Sequence, residues 1–111
     1  MITVIDRLRK RRCYPVPEAG EGVYVRSLTR GELRRLESLE GESKTDFVMG
    51  CVLVDADGQP AFVQDERETD LEFCERIRAA FLDVDTETVS LISQAVGKIG
   101  KVPPLEDLRK N

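Results

Sequence analysis

No histidine occurs anywhere in the chain. The usual general base, the commonest metal-binding side chain and every Ser-His or Cys-His nucleophile pair are therefore missing. Cysteine is scarce and odd in number: Cys13, Cys51 and Cys74 stand 38 and 23 residues apart. Without a Cys-x-x-Cys pair, that spacing suits neither a disulfide framework nor a zinc knuckle. Long apolar runs are missing too. The longest, Phe47 to Val54, has eight residues with Gly50 inside it, against roughly 20 needed to cross a bilayer. The basic N-terminal segment leads into no apolar stretch of signal-peptide length, so a cytoplasmic protein is expected. Five prolines and eight glycines are dispersed, which excludes a low-complexity chain. No enzyme class, cofactor or metal is indicated by what remains.

What is present suits one small domain. The 111 residues bury roughly two-thirds of their unfolded surface, enough for a modest core. Charged residues make up 34% and the net charge is −4, but the charge is unevenly placed. Five of the seven residues from Asp6 to Arg12 are basic: Arg7, Arg9, Lys10, Arg11 and Arg12. From Asp65 to Glu87, nine acidic residues face three basic ones. Such asymmetry suits a partner of opposite charge, or head-to-tail association of copies into a homo-oligomer. The basic run has two readings. One is a patch for nucleic-acid phosphates; the other, which we favour, is a solvated N-terminal arm over residues 1–12. No aromatic side chain interleaves these charges, and the rest of the chain is acidic.

The most informative stretch runs from Gly22 to Leu39. Val23 and Val25 alternate with Tyr24 and Arg26, the period of a half-buried strand. Thr29-Arg30-Gly31-Glu32 is then a capping box, in which each end residue binds the other's backbone amide. Leu33, Leu36 and Leu39 follow at helical spacing, and Gly41 is placed to end the helix in a left-handed cap. Upstream, Pro15 and Pro17 force an extended edge strand. Turn residues at 19–22 join it to Val23, giving a hairpin over about 12–28.

Residues 42–45 read as a polar link. Residues 46–50 are open to either helix or strand, whereas β-branched content favours a strand from about Cys51. Asp57-Gly58 is a favoured hairpin turn, so a second hairpin is expected over about 51–63, its return strand held at an edge by Pro60. The Asp55-x-Asp57 spacing also suggests calcium, but Gly58 falls at position 4 and Pro60 at position 6, where that loop needs its glycine. A metal-dependent hydrolase built on Asp55, Asp57, Asp65 and Glu66 is weaker still, since a turn and a helix approach explain these acids. Thr69-Asp70-Leu71-Glu72 is a second capping box, opening a helix with Leu71, Cys74, Ile77 or Arg78, and Phe81 on one face, and Phe73 and Ala80 at its margins. Asp85 caps a last helix carrying Val89, Ile92, Ala95 or Val96, and Ile99. The expected fold is α+β: two small antiparallel hairpins with about three helices, near 30–40, 70–82 and 86–99. The domain spans 13–100, and 101–111 is an extended tail. Within that tail Val102, Leu105 and Leu108 are candidate partner-binding residues.

Pro15-Val16-Pro17-Glu18-Ala19-Gly20, the phrase Val23 to Glu32, and Val54-Asp55-Ala56-Asp57-Gly58 followed by Phe62 occur in an order that resembles the tail assembly chaperones of long-tailed bacteriophages and prophages. The resemblance spans roughly Tyr14 to Lys98. Two features depart from it: Ala19 stands where many relatives carry an aromatic, and the Pro103-Pro104 tail is foreign to the pattern. The resemblance implies a non-enzymatic protein that binds the tape measure protein, helps recruit tail tube subunits, and is absent from the mature virion. The competing reading is a small nucleic-acid-binding regulator that uses the basic N-terminal run.

Overall fold

The central strand is the one the alternation marks. In the computed structural model, which describes residues 3–99, β1 (Cys13–Pro15), β2 (Tyr24–Arg26) and β3 (Leu53–Val54) form an antiparallel sheet with β2 in the middle. Tyr14 lies opposite Val25 and Pro15 opposite Tyr24, so the first hairpin forms within the expected 12–28. Around it stand the helices α1 (Val4–Arg9), α2 (Arg30–Glu37), α3 (Glu42–Val52), α4 (Asp70–Phe81) and α5 (Thr86–Lys98). The fold is α+β.

Side-chain caps set the start of four of these helices. The hydroxyl of Thr29 accepts from the amide of Glu32 at 3.1 Å, and the Glu32 carboxylate accepts from the amide of Thr29 at 2.9 Å. Thr69 and Glu72 repeat the arrangement at 3.1 and 3.0 Å. Asp85 caps α5 by accepting from the amide of Thr88 at 2.7 Å. Each such cap contributes about 1 kcal/mol. A third box, Thr3 with Asp6, starts α1. Within the expected N-terminal arm, Val4–Arg9 is a short helix with no buried residue.

The middle of the chain departs most from expectation. Residues 42–45 are not a link but the first turn of α3, which continues through the ambiguous 46–50 and past Cys51. Thr45 and every residue from Phe47 to Val52 are buried, so α3 is the core helix and is apolar on nearly all sides. Burial overrides the β preference of its valines. The strand is reduced to Leu53–Val54. Its return partner is one bridge, Val54 to Pro60, backed by Ala61 N–H donating to Leu53 O at 2.9 Å. The second hairpin thus keeps its turn and loses most of its strands. Gly41 has a φ of 58°, but it precedes α3 as its N-cap. The preceding helix ends earlier than expected, at Glu37 with Ser38 as cap.

α3 packs across α4. Phe47 meets Phe73 edge to face, with centroids 6.3 Å apart, and the Cys74 thiol donates to Ser43 O at 3.3 Å. The buried face of α4 is Phe73, Cys74 and Ile77, with Phe81 half-buried. Leu71, expected on that face, is exposed and Phe73 takes its place. On the other side α5 packs against β2, and its Ile92 and Val96 belong to the same core as Val16 and Val25.

Arginines stitch the helices from outside. Arg35 stands over the Phe47 ring at 5.0 Å and pairs with Asp70 at 2.5 Å. Arg78 pairs with Asp46 at 2.7 Å. Hydrogen bonding from Arg35, and secondarily from Gln64, holds the Asp70 carboxyl below its ordinary range despite an opposing desolvation effect. A carboxyl depressed in the folded state adds stability above its unfolded pKa and loses it as pH falls through the folded one. Asp70→Asn is therefore expected to flatten the acid limb of a plot of urea midpoint against pH.

Thr45 carries the opposite kind of feature. Its hydroxyl is buried with no hydrogen-bond partner among the described residues. Replacing such a group by a methyl of similar shape removes a desolvation cost, and valine and threonine have similar helix propensities. Thr45→Val is expected to raise stability by about 1 kcal/mol, read as a higher urea midpoint.

Candidate protein-binding groove

The turn after β3 is built by Asp55. Its carboxylate accepts from the amides of Asp57 and Gln59, both at 2.9 Å, and its own amide donates to Gln59 O. Gly58 sits at φ 80°, the positive value that lets this loop close without a side-chain clash. Asp65 similarly accepts from the amide of Arg67. These acids are used for local backbone geometry, and among the described residues no three Asp, Glu or Cys side chains are placed to hold a metal ion.

Beyond the turn the chain doubles back, and Phe62 stacks on Phe81 with centroids 6.1 Å apart. Phe81 ends α4, and Val84 N–H then donates to Phe81 O at 3.1 Å, forming the corner into α5. Between this corner, the turn and the start of β2 opens a groove of about 390 Å³. Its walls are largely apolar and include Val23, Leu53, Pro60, Phe62, Phe81 and Val84. The volume falls within the range of ordinary binding pockets.

Acidic residues are frequent in the segments that form these walls. Asp55 lies on the wall itself, and Glu21, Asp57, Asp83, Asp85 and Glu87 stand next to wall residues or within the same turn. All six are exposed, and among the described residues none belongs to an ion pair. Asp85 is held below the ordinary aspartate range by the hydrogen bonds it accepts from Thr88, so its charge is firmly present near neutrality. The groove combines an apolar floor, Asp55 on its wall, and exposed acids flanking its wall residues along the chain. That chemistry suits a segment bearing apolar side chains flanked by cations. A second cleft of about 310 Å³, between Tyr14 and Val16 on one side and Gln94, Lys98 and Ile99 on the other, mixes charged with apolar groups.

Of the five basic candidates the fold draws in one and leaves four exposed. Arg11 turns inward, donating to Ser27 O at 2.6 Å and to the Glu32 carboxylate at 2.8 Å. Glu32 thus caps α2 and anchors the start of β1 together, a second role hidden in the sequence. Arg7, Arg9, Lys10 and Arg12 are exposed, with Arg9 3.8 Å from Asp6. Val102, Leu105 and Leu108 lie outside the described residues. Burial pushes the Cys51 thiol up to about 12 and the Cys74 thiol up to about 11; both stay protonated near neutrality and are poor nucleophiles in that form.

Sequence reasoning missed the groove because its walls come from separate places in the chain. Phe62, an aromatic just past a turn, and Val23, in the alternating strand, are its local signals. No helix among the described residues is long and apolar enough to cross a membrane. Compared with known proteins, the chain matches no family model, no curated protein and no solved structure.

Proposed function

We propose that this protein is a non-enzymatic tail assembly chaperone of a long-tailed bacteriophage or prophage. In this reading it acts in the cytoplasm of the bacterial host, binds helical segments of the tape measure protein, and helps recruit tail tube subunits during morphogenesis. It does not remain in the mature virion. What supports the reading is a coincidence of place. Two phrases that carry the family resemblance, one from Val23 and one from Val54 to Phe62, both contribute walls to the apolar groove.

A helix with an apolar stripe is recognised through a few anchors set into such a groove. The small area available keeps the affinity modest, which suits a chaperone that must let go. The nucleic-acid reading has less support, because Arg11 is engaged within the fold and the unpaired acids flanking the groove's wall residues repel phosphate.

Co-expression with a tape measure protein encoded beside this gene tests the proposal. The expected result is a soluble tape measure protein that co-purifies with this chain. A tape measure protein that stays insoluble, with no co-purification, would refute it.

A further inference from the structure

The groove has a complement within the same chain. α1 has no buried residue, and Val4, Ile5 and Leu8 are 71%, 55% and 74% exposed. Leu8 stands three positions from Ile5 and four from Val4, spacings that share a helix face, so these three form a largely exposed apolar stripe. Cations border it: Arg7, Arg9 and Lys10, with Arg12 just beyond. The root of α1 is held by Arg11 on Glu32 and Ser27, so the helix projects from a fixed point.

Two unsatisfied surfaces of opposite character therefore exist on one molecule. One is an apolar stripe with a positive border, the other an apolar groove with exposed acids flanking its wall residues. We propose that α1 of one copy seats in the groove of a second copy. Val4, Ile5 and Leu8 then meet Val23, Phe62, Phe81 and Val84, and the cations beside α1 face Asp83, Asp85 and Glu87. The contact is heterologous, since each copy offers both a helix and a groove, and it builds rings or short chains unless two copies exchange helices reciprocally. The proposal rests on the groove being the docking face invoked above, but not on the identity of the client. A client helix must displace α1, so client binding and self-association compete.

Sedimentation velocity of the full chain over a wide concentration range tests this. The average mass is expected to rise with concentration at low salt and fall back toward that of the monomer as salt screens the charges. Leu8→Asp, at an exposed position, and Asp83→Lys with Glu87→Lys, beside wall residues of the groove, are each expected to abolish the rise. Mixing those two defective proteins is the decisive step. The first retains a good groove and the second a good helix, so the mixture is expected to form heterodimers and to stop there. Thermal melts confirm that each variant is folded, and Val84→Asp supplies a second groove lesion. A wild-type chain that stays monomeric throughout would overturn the proposal. So would oligomers that survive Leu8→Asp, a mixture that fails to pair, or a monomer whose α1 amides are protected from exchange by its own groove. Leu8→Asp is expected to leave tape measure co-purification intact, so this proposal and the functional one fail separately.

Discussion

Phe47→Ala is expected to cost about 3–5 kcal/mol, the range for emptying a buried aromatic site. Phe47 is 0% exposed. It bears on the Phe73 edge at 6.3 Å between centroids, while Arg35 covers its ring at 5.0 Å. Removing the ring therefore opens a cavity where three helices meet, and it withdraws a cation–π contact from an arginine that also pairs with Asp70. Against a total stability of about 5–15 kcal/mol for a domain of this kind, the loss brings the protein close to unfolding at room temperature. Urea denaturation checks it: the midpoint is expected to drop steeply with little change in slope.

Gly50→Ala is expected to destabilise the protein, although in an ordinary helix interior the same change stabilises by roughly 1 kcal/mol. A Cβ added at Gly50 would lie 2.1 Å from Cδ1 of Ile77, 3.1 Å from its Cγ1 and 3.2 Å from Phe73. Ile77 is 0% exposed and Phe73 3%, so neither can swing into solvent. Overpacking of this kind costs about 1–3 kcal/mol or more, which outweighs the propensity gain. Two companions sharpen the prediction. Gly97→Ala in α5, where nothing lies within 4 Å of the added carbon, is expected to raise the melting temperature. Ile77→Val removes the closest of the clashing atoms, so combined with Gly50→Ala it is expected to cost less than the sum of the single changes. Melting temperatures of the four proteins close the cycle.

Gly50 also shows where the sequence was hard to read. Within Phe47 to Val54 it reads as an interruption of the apolar run, whereas in the fold its missing side chain leaves room for Ile77 and Phe73 of α4. Its meaning depends on Ile77, far along the chain, and no local pattern announces that contact. The same holds for Arg11, which sits in a run of like charges and differs from its neighbours only because Glu32 waits for it. The capping boxes at Thr29 and Thr69 were legible because both partners lie within one turn. The β1–β2 hairpin was legible because period-two alternation and a glycine turn act locally. Strand length after Cys51 was not, since the burial of α3 decides it. The groove was only partly legible: Phe62 and Val23 stood out as phrase residues, but the wall supplied by Phe81 and Val84 appears only when the α4–α5 corner folds against the turn.

The central claim is that this groove, with its apolar floor and flanking acids, receives a partner helix. The most direct measurement is the affinity of purified full-length protein for a tape measure segment that carries an apolar stripe flanked by lysine or arginine. Wild type is compared with Val84→Asp, with Asp83→Lys plus Glu87→Lys, and with Leu71→Asp as an exposed control outside the groove. Folded groove variants are expected to bind at least about tenfold more weakly, a loss of about 1.4 kcal/mol. The control is expected to match wild type. Wild-type affinity in both groove variants would contradict the account.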